Sequence, residues 1–589
     1  MATATMDYPD ARTGGDRHDE PGIQRPPQGS ESSRDQGPQA GLSKKCGILL
    51  GLCDRRADYS ILSVNPNLVG GGIGRFPEAD ARSTQAHDDQ RAEARPDRNA
   101  IGDGARTVRD VGGTVSSLKF GTSGLRGLVT DLTGWPSYAY ARAFFRAIAT
   151  TDGGNRRVLI GRDLRDSSAG IAATVADAAA EVGFGAIDCG ALPTPALALE
   201  GFRLGACAVM VTGSHIPQDR NGLKFYRPDG EITKADEVAI LAALGDVGAV
   251  GAMAAVPATP ETGALDRYRR RYSEVFGAEA LTGLRVAVYQ QSSVARDLLA
   301  DLLASLGARV VPIGRSETFV PIDTEAHRPE DIAFIREVMA SGAYDALVTT
   351  DGDADRPLVA DGSGRIVRGD VLGLITARFL GADAVVVPVT AGSAIEHAGG
   401  FRRVLRTRVG SPFVIAGMAQ AQGDGAGITV GFEANGGFLL GSDVTIDGKR
   451  LPALPTRDAM LPILATLAAT QGAGLTLADL VASLNAGETA SDRLPDTPSE
   501  SSGPFLLQLG EDGFRQTFFR PVGTPVSVDT QDGVRVGLDG TRTVHFRPSG
   551  NAPELRCYAE AGSAAEAEDL VRWGLEAASG AMHTGRGKS

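Results

Sequence analysis

Cysteine is scarce in this chain, five among 589 residues with no C-x-x-C pair, which leaves out a disulfide-stapled scaffold and a zinc ribbon. No apolar run is long enough to cross a bilayer. The patch from Cys46 to Leu52 is too short and too far from the start for a normal signal peptide. An excess of positive charge is also missing: 59 Lys and Arg against 72 Asp and Glu give a formal net charge of −13, which argues against a nucleic-acid or anionic-membrane partner. Any anionic ligand must then be attracted by local clusters. The scattered cysteines, with Cys207 inside an apolar run, read as reduced thiols of a cytoplasmic protein. What is present, 42% hydrophobic residues and 76 glycines over 589 positions, describes a glycine-rich α/β protein too long for one core.

Residues 1–112 are rich in Arg, Asp, Gly, Pro, Ser and Gln and hold too little apolar surface to offset the entropy of ordering. They read as a disordered extension or as a mis-called start; because no methionine lies between Met6 and Met210, a later start would need a codon read internally as Val or Leu, such as that of Val108, Val111 or Val115. Beyond them a pattern of strand, loop, helix and strand recurs. It is seen from Arg157 to Asp188 and from Leu284 to Ile313, with a third copy from Ala384 to Arg406. Three related βαβ units are expected. A smaller unit after about Gly487 closes on an amphipathic helix, Ala564 to Ala578, and the Ser, Asp and Pro content of residues 485–504 reads as a hinge linker.

Two short stretches carry chemistry. The first, Thr212 to Pro217, follows the apolar run Ala206 to Val211 and places Ser214 in a loop at a strand's carboxyl end, the usual place for ligand chemistry in open α/β sheets. Asn221 to Tyr226 reads as a glycine turn presenting Lys224, the candidate general base. The second stretch, Asp351-Gly352-Asp353-Ala354-Asp355-Arg356, follows the apolar strand Asp345 to Thr350. Three carboxylates in one tight loop beside Arg356 suit one Mg²⁺ ion. An EF-hand is excluded because Arg356 stands at its sixth position and Gly362 at its twelfth.

Further clusters accompany these. Arg547 to Arg556 joins two arginines, Ser549 and a glycine-containing loop, a set that suits a phosphate dianion. Gly431 to Gly437 offers Glu433 and Asn435 to sugar hydroxyls. Phe120 to Gly127, with Arg126, and Gly161 to Ser168 are cationic glycine loops or plain turns before helices.

In this order the motifs resemble the α-D-phosphohexomutases, from about Leu118 to Gly580. The resemblance matches Ser214 to the family's phosphoserine, which completes the metal site of Asp351, Asp353 and Asp355, and Lys224 to its N-G-x-K lysine. The F-G-T-S-G-x-R-G opening falls on Phe120 to Gly127, with Arg126 as a catalytic group and Thr122 and Ser123 as substrate contacts. The sugar loop matches Phe432 to Gly436 and the phosphate loop Arg547 to Asn551, so Arg356, Gly410, Glu433, Asn435, Arg547, Ser549, Gly550, Asn551 and Arg556 are expected to contact substrate. Ile216, Phe432, Asn435 and Asn551 depart from the family pattern.

The resemblance implies three similar mixed-sheet α/β domains at 113–262, 263–367 and 368–486 and a smaller C-terminal α+β domain at 487–589, around a central cleft closed by rotation of the last. It implies a monomer or dimer, cytoplasmic, acting on hexose phosphates, with Mg²⁺ as cofactor and hexose 1,6-bisphosphate as activator. Ser214 would pass its phosphoryl group to a hexose 1- or 6-phosphate and take back the other phosphate of the bisphosphate intermediate. His215 would contact the incoming phosphate, assist proton transfer or shape the loop. Mannose phosphates are the expected substrate, with glucose phosphates or dual use next and glucosamine phosphate behind. A sugar phosphatase and a non-catalytic phosphosugar-binding protein are the readings from other classes.

Overall fold

The computed structural model describes residues 117–121, 124–149, 155–244, 257–549 and 553–585. The disorder expected for residues 1–112 falls outside the described residues, as do Thr122, Ser123, Gly550 and Asn551.

Three of the sheets share one four-strand plan. In the first, Arg157–Arg162 lies between Gly185–Ala191 and Cys207–Val211, parallel to both, and Arg220–Arg227 is added antiparallel beside Cys207–Val211. In the second, Arg285–Gln291 lies parallel between Arg309–Arg315 and Ala346–Thr350, with Pro357–Asp361 antiparallel. In the third, Ala384–Pro388 lies parallel between Arg403–Thr407 and Thr429–Phe432, with Phe438–Leu440 antiparallel. Parallel neighbours need a crossover between them, and Ser168–Glu181, Arg296–Ser305 and Ala394–Ala398 supply the helix of the first crossover in each repeat. This is the threefold repetition expected from the sequence. One consequence was not expected: the connection from third to fourth strand is the same station in every repeat, and residues 212–219, 351–356 and 433–437 all occupy it.

The inner strands Cys207–Val211, Ala346–Thr350 and Ala384–Pro388 read as largely apolar runs because both faces are covered. Val158 and Ile160 join Val209 and Val211 in one cluster, while Leu159 joins Ala208 and Met210 on the other face. That second cluster continues through Val286 and Val288 to Val385 and Val387, so the three repeats share a core. Each fully buried Val, Leu or Ile in it contributes about 1.5–3 kcal/mol.

The fourth sheet is antiparallel, in the order Glu488–Leu494, Leu555–Ala561, Thr543–Pro548, Val534–Leu538, Pro525–Asp529, and has its own core around Phe505, Phe519, Phe546 and Leu570. Its closing helix, Ala564–Gly585, runs past Ala578. Residues 485–504 are not a hinge linker: they supply the edge strand Glu488–Leu494 and the start of helix Ser499–Gly510. Their polar composition is that of an edge strand with one side in water. Asn221 to Tyr226 likewise is no turn. It lies inside strand Arg220–Arg227, paired on both sides, because Leu223, Phe225 and Tyr226 are buried core residues.

Candidate active site

Ser214 is fully buried and sits at φ 55°, a left-handed conformation that costs a non-glycine residue of order 1 kcal/mol and persists only when neighbours hold it. The holders come from the loop after the first repeat's opening strand. Asp163 accepts hydrogen bonds from the Thr212 hydroxyl at 2.8 Å and from the Gly213 amide at 3.3 Å. The Thr212 oxygen accepts the Ser214 amide at 2.7 Å. Arg165 donates from Nη2 to the carbonyls of Ser214 at 3.0 Å and Ile216 at 2.5 Å, and from Nη1 to Pro217 at 2.7 Å and Arg220 at 3.1 Å. Its other edge pairs with Asp163 at 3.0 Å, and its face lies 3.7 Å from the centre of the Phe319 ring. One buried cation thus satisfies the loop's carbonyls.

The Ser214 loop meets the aspartate loop directly. Ser214 Oγ donates to Asp351 Oδ2 at 2.6 Å. A Cβ on Gly352 would stand 2.9 Å from the Ser214 carbonyl oxygen, so only glycine permits the approach. Asp351 Oδ1 accepts the amides of Asp355 and Arg356, each at 3.2 Å, and so closes its own loop. Among the described residues, Asp351, Asp353 and Asp355 form the one acidic cluster whose ligand atoms converge, within 4.8 Å of one another, and all three are buried.

Lys224 Nζ lies 2.6 Å from both Asp353 Oδ2 and Asp355 Oδ2, and Thr194 Oγ1 also donates to Asp353 Oδ2. Arg457 donates to Asp355 Oδ2 from Nε at 3.1 Å and Nη2 at 2.9 Å, and from Nη1 to Glu433 at 3.0 Å. These donors crowd the Oδ2 atoms. The buried Oδ1 atoms of Asp353 and Asp355 have no hydrogen-bond partner, and a hard divalent cation suits them. Burial, then repulsion from Asp353 and Asp355, pushes Asp351 well above the usual carboxylate range. At Asp355 burial acts upward too, but Arg457, Lys224 and Arg356 outweigh it and hold the group below that range.

Cations ring the cage. Arg356 Nη1 donates to His215 Nδ1 at 2.9 Å, and His215 Nδ1 also lies 3.2 Å from Ser214 Oγ. Burial, then Arg356 and Arg126, lowers His215 well below its ordinary value. Arg126 pairs across the sheet with Gly222, two residues from Lys224, and burial, then Arg356 and Arg457, push it down to about 10. Asn435 Oδ1 accepts the Gly437 amide at 2.9 Å, closing the loop that presents Glu433. Gly410 stands just ahead of helix Ser411–Gly423 in the third repeat. In the fourth sheet Arg547 pairs with Asp532 at 2.8 Å, Arg556 pairs with Glu554 at 2.7 Å, and the Ser549 amide donates to the Glu554 carbonyl at 2.9 Å.

Arg457, Thr194 and Phe319 were not foreseen, and the loop of Asp163 and Arg165 had passed for a possible plain turn. Arg457 lies in strand Leu454–Asp458, where its charge amid buried neighbours was the available signal. The arrangement as a whole suits cation-assisted phosphoryl transfer on a serine.

Comparison with known proteins agrees with that class. Models of the phosphoglucomutase/phosphomannomutase family match in order, alpha/beta/alpha domains I, II and III at 117–247, 266–364 and 368–486 and the C-terminal domain at 520–572. The chain belongs to this family. It is 47% identical over 474 residues to a phosphomannomutase of Sinorhizobium fredii, covering 79% of this chain and 99% of that one. It is 43% identical over 460 residues to a phosphomannomutase of Salmonella muenchen, covering 77% and 94%. The structure of a phosphoglucomutase/phosphomannomutase family protein from Burkholderia thailandensis shares the fold, with TM-score 0.62 and 21% identity over 78% of this chain and 97% of that chain.

Proposed function

We propose that this chain is a phosphomannomutase, interconverting mannose 1-phosphate and mannose 6-phosphate through a phosphoserine at Ser214 and a hexose 1,6-bisphosphate intermediate. The observation that carries the reading is the contact of Ser214 Oγ with Asp351 Oδ2 at 2.6 Å inside the aspartate cage, which ties nucleophile and cation site into one unit. The two relatives named phosphomannomutase support the choice of sugar. Ser214 forms and breaks the bond to phosphorus, and Lys224 moves the sugar hydroxyl proton. Arg126, Arg356 and His215 orient the transferring group. Glu433 and Asn435 take sugar hydroxyls, with Thr122, Ser123 and Gly410 lining the substrate site. Arg547, Ser549, Gly550, Asn551 and Arg556 hold the phosphate that is not reacting. Asp351, Asp353, Asp355 and the Ser214 oxygen would hold Mg²⁺, which when bound would supply positive charge to offset the phosphoryl group. The working units are 113–262, 263–367, 368–486 and 487–589.

Phosphorus NMR tests this, with Mg²⁺, a trace of hexose 1,6-bisphosphate, and separate tubes of mannose, glucose and glucosamine 1-phosphates. Fastest conversion of the mannose compound is expected. Faster conversion of another sugar would correct the specificity, and release of inorganic phosphate would make the protein a phosphatase.

A further inference from the structure

Two sets of contacts join the fourth sheet to the third repeat. One lies beside the chain connection: Arg368 Nη1 donates to the Gly487 carbonyl at 3.0 Å, and the Ser393 amide donates to both oxygens of Glu560, at 3.0 and 2.9 Å. Glu560 pairs in the sheet with Thr489, two residues past Gly487. Chain continuity keeps these groups close whatever the sheet does. The other set lies at loop tips far along the chain from that connection. Val409 N–H donates to Asp532 Oδ2 at 3.0 Å, and Arg408 Nε donates to the Gln531 carbonyl at 3.1 Å.

Asp532 has a second partner on its own sheet. Its Oδ1 lies 2.8 Å from Arg547 Nε, an ion pair whose N–H is not aligned for a hydrogen bond, with both side chains mostly buried at 17% and 16% exposure. The turn that carries it cannot drift. His545 Nε2 meets the Asp532 carbonyl at 2.7 Å, and the following Gly533, at φ 79°, lies so close to the strand of Arg547 that a Cβ would stand 2.1 Å from the Phe546 carbonyl oxygen. One carboxylate therefore spans Arg547 and the Val409 amide, next to Gly410.

We propose that Asp532 is a positioning residue that sets Arg547 for phosphate only when the fourth sheet is docked on the loop of Val409 and Gly410. This rests on the reading of Arg547 as part of the phosphate clamp. Because that clamp holds the same phosphate before and during transfer, its misalignment weakens ground state and transition state alike, raising KM while sparing kcat. The bisphosphate intermediate, held by the same clamp, then escapes more often.

The test uses the full chain with mannose 1-phosphate and added hexose 1,6-bisphosphate. D532N is expected to raise KM about five- to twentyfold with kcat within about threefold, and to raise the half-saturating bisphosphate at least about fivefold. D532E, which keeps the charge, is expected to recover most of the loss; if D532N fails to fold, D532S takes its place with the same expected rise in KM. On an R547A background, D532N changes KM less than about twofold, because the residue it positions is already gone. An unchanged KM in D532N, or the same rise with and without Arg547, overturns the proposal. Calorimetric binding of mannose 1-phosphate separates this from the mutase reading: wild type that binds without converting sinks the latter, while weaker binding by D532N still supports the former.

Discussion

The loops at residues 212–219 and 351–356 hold the same station in two repeats, and each turns on a non-glycine residue in the left-handed region, Ser214 at φ 55° and Ala354 at φ 57°. Their support differs. The first loop carries no carboxylate into the site; its backbone is held from within its own repeat, by Asp163 and Arg165, while Asp351 and Arg356 of the second repeat bond the Ser214 and His215 side chains. The second carries three buried carboxylates and is neutralised by its own Arg356 and, from outside, by Lys224 of the first repeat and Arg457 of the third. A repeated backbone can thus present unlike chemistry at one station, but the anionic version depends on neighbouring repeats, since buried charges need partners. The third loop completes the series, because Arg457 binds Glu433 and Asp355 together.

The comparison can be broken most severely at Ser214. S214A is expected to lower kcat at least about 10⁴-fold while calorimetry still registers phosphosugar binding, and substantial residual turnover would move the nucleophile elsewhere. Next is R457M, which leaves Asp355 and Glu433 buried without their arginine. Loss of about 3–5 kcal/mol in urea unfolding is expected, and a loss under 1 kcal/mol would mean the metal loop does not need its external cation. D353N should weaken Mg²⁺ activation by about 10–100-fold, read from a titration of activity, whereas an unchanged midpoint would place the cation elsewhere. The smallest effect is expected at Phe319. F319L removes the face on which Arg165 rests and should cost about 1–2 kcal/mol of stability in urea unfolding, and an unchanged stability would mean that the ring does not support Arg165.

Legibility in the sequence followed the range of the interactions. Ser214 and the three aspartates stood out because each set lies within one loop after an apolar strand, and the threefold repeat was visible because both-face burial leaves continuous apolar runs. Arg457 stayed hidden, since its partners Asp355 and Glu433 lie 102 and 24 residues away. Lys224 was picked out, but its place in a paired strand was not, because glycine and asparagine beside it read as turn formers. The supposed linker at 485–504 misled for the opposite reason: an edge strand exposes polar side chains just as a linker does.

What the amino-acid order determined by itself is local: which runs become buried strands, which loops carry a hydroxyl or carboxylates, and how many times the unit recurs. What only the tertiary structure decided is which loops meet. Stacking the repeats on one core brings residues 214, 224, 351, 355, 433 and 457 together, and the Oδ2 atoms of Asp353 and Asp355 acquire donors while their Oδ1 atoms are left for a cation. The reason is physical. Apolar periodicity is written along the chain, whereas the pairing of buried charges depends on distances that exist only after the chain has folded.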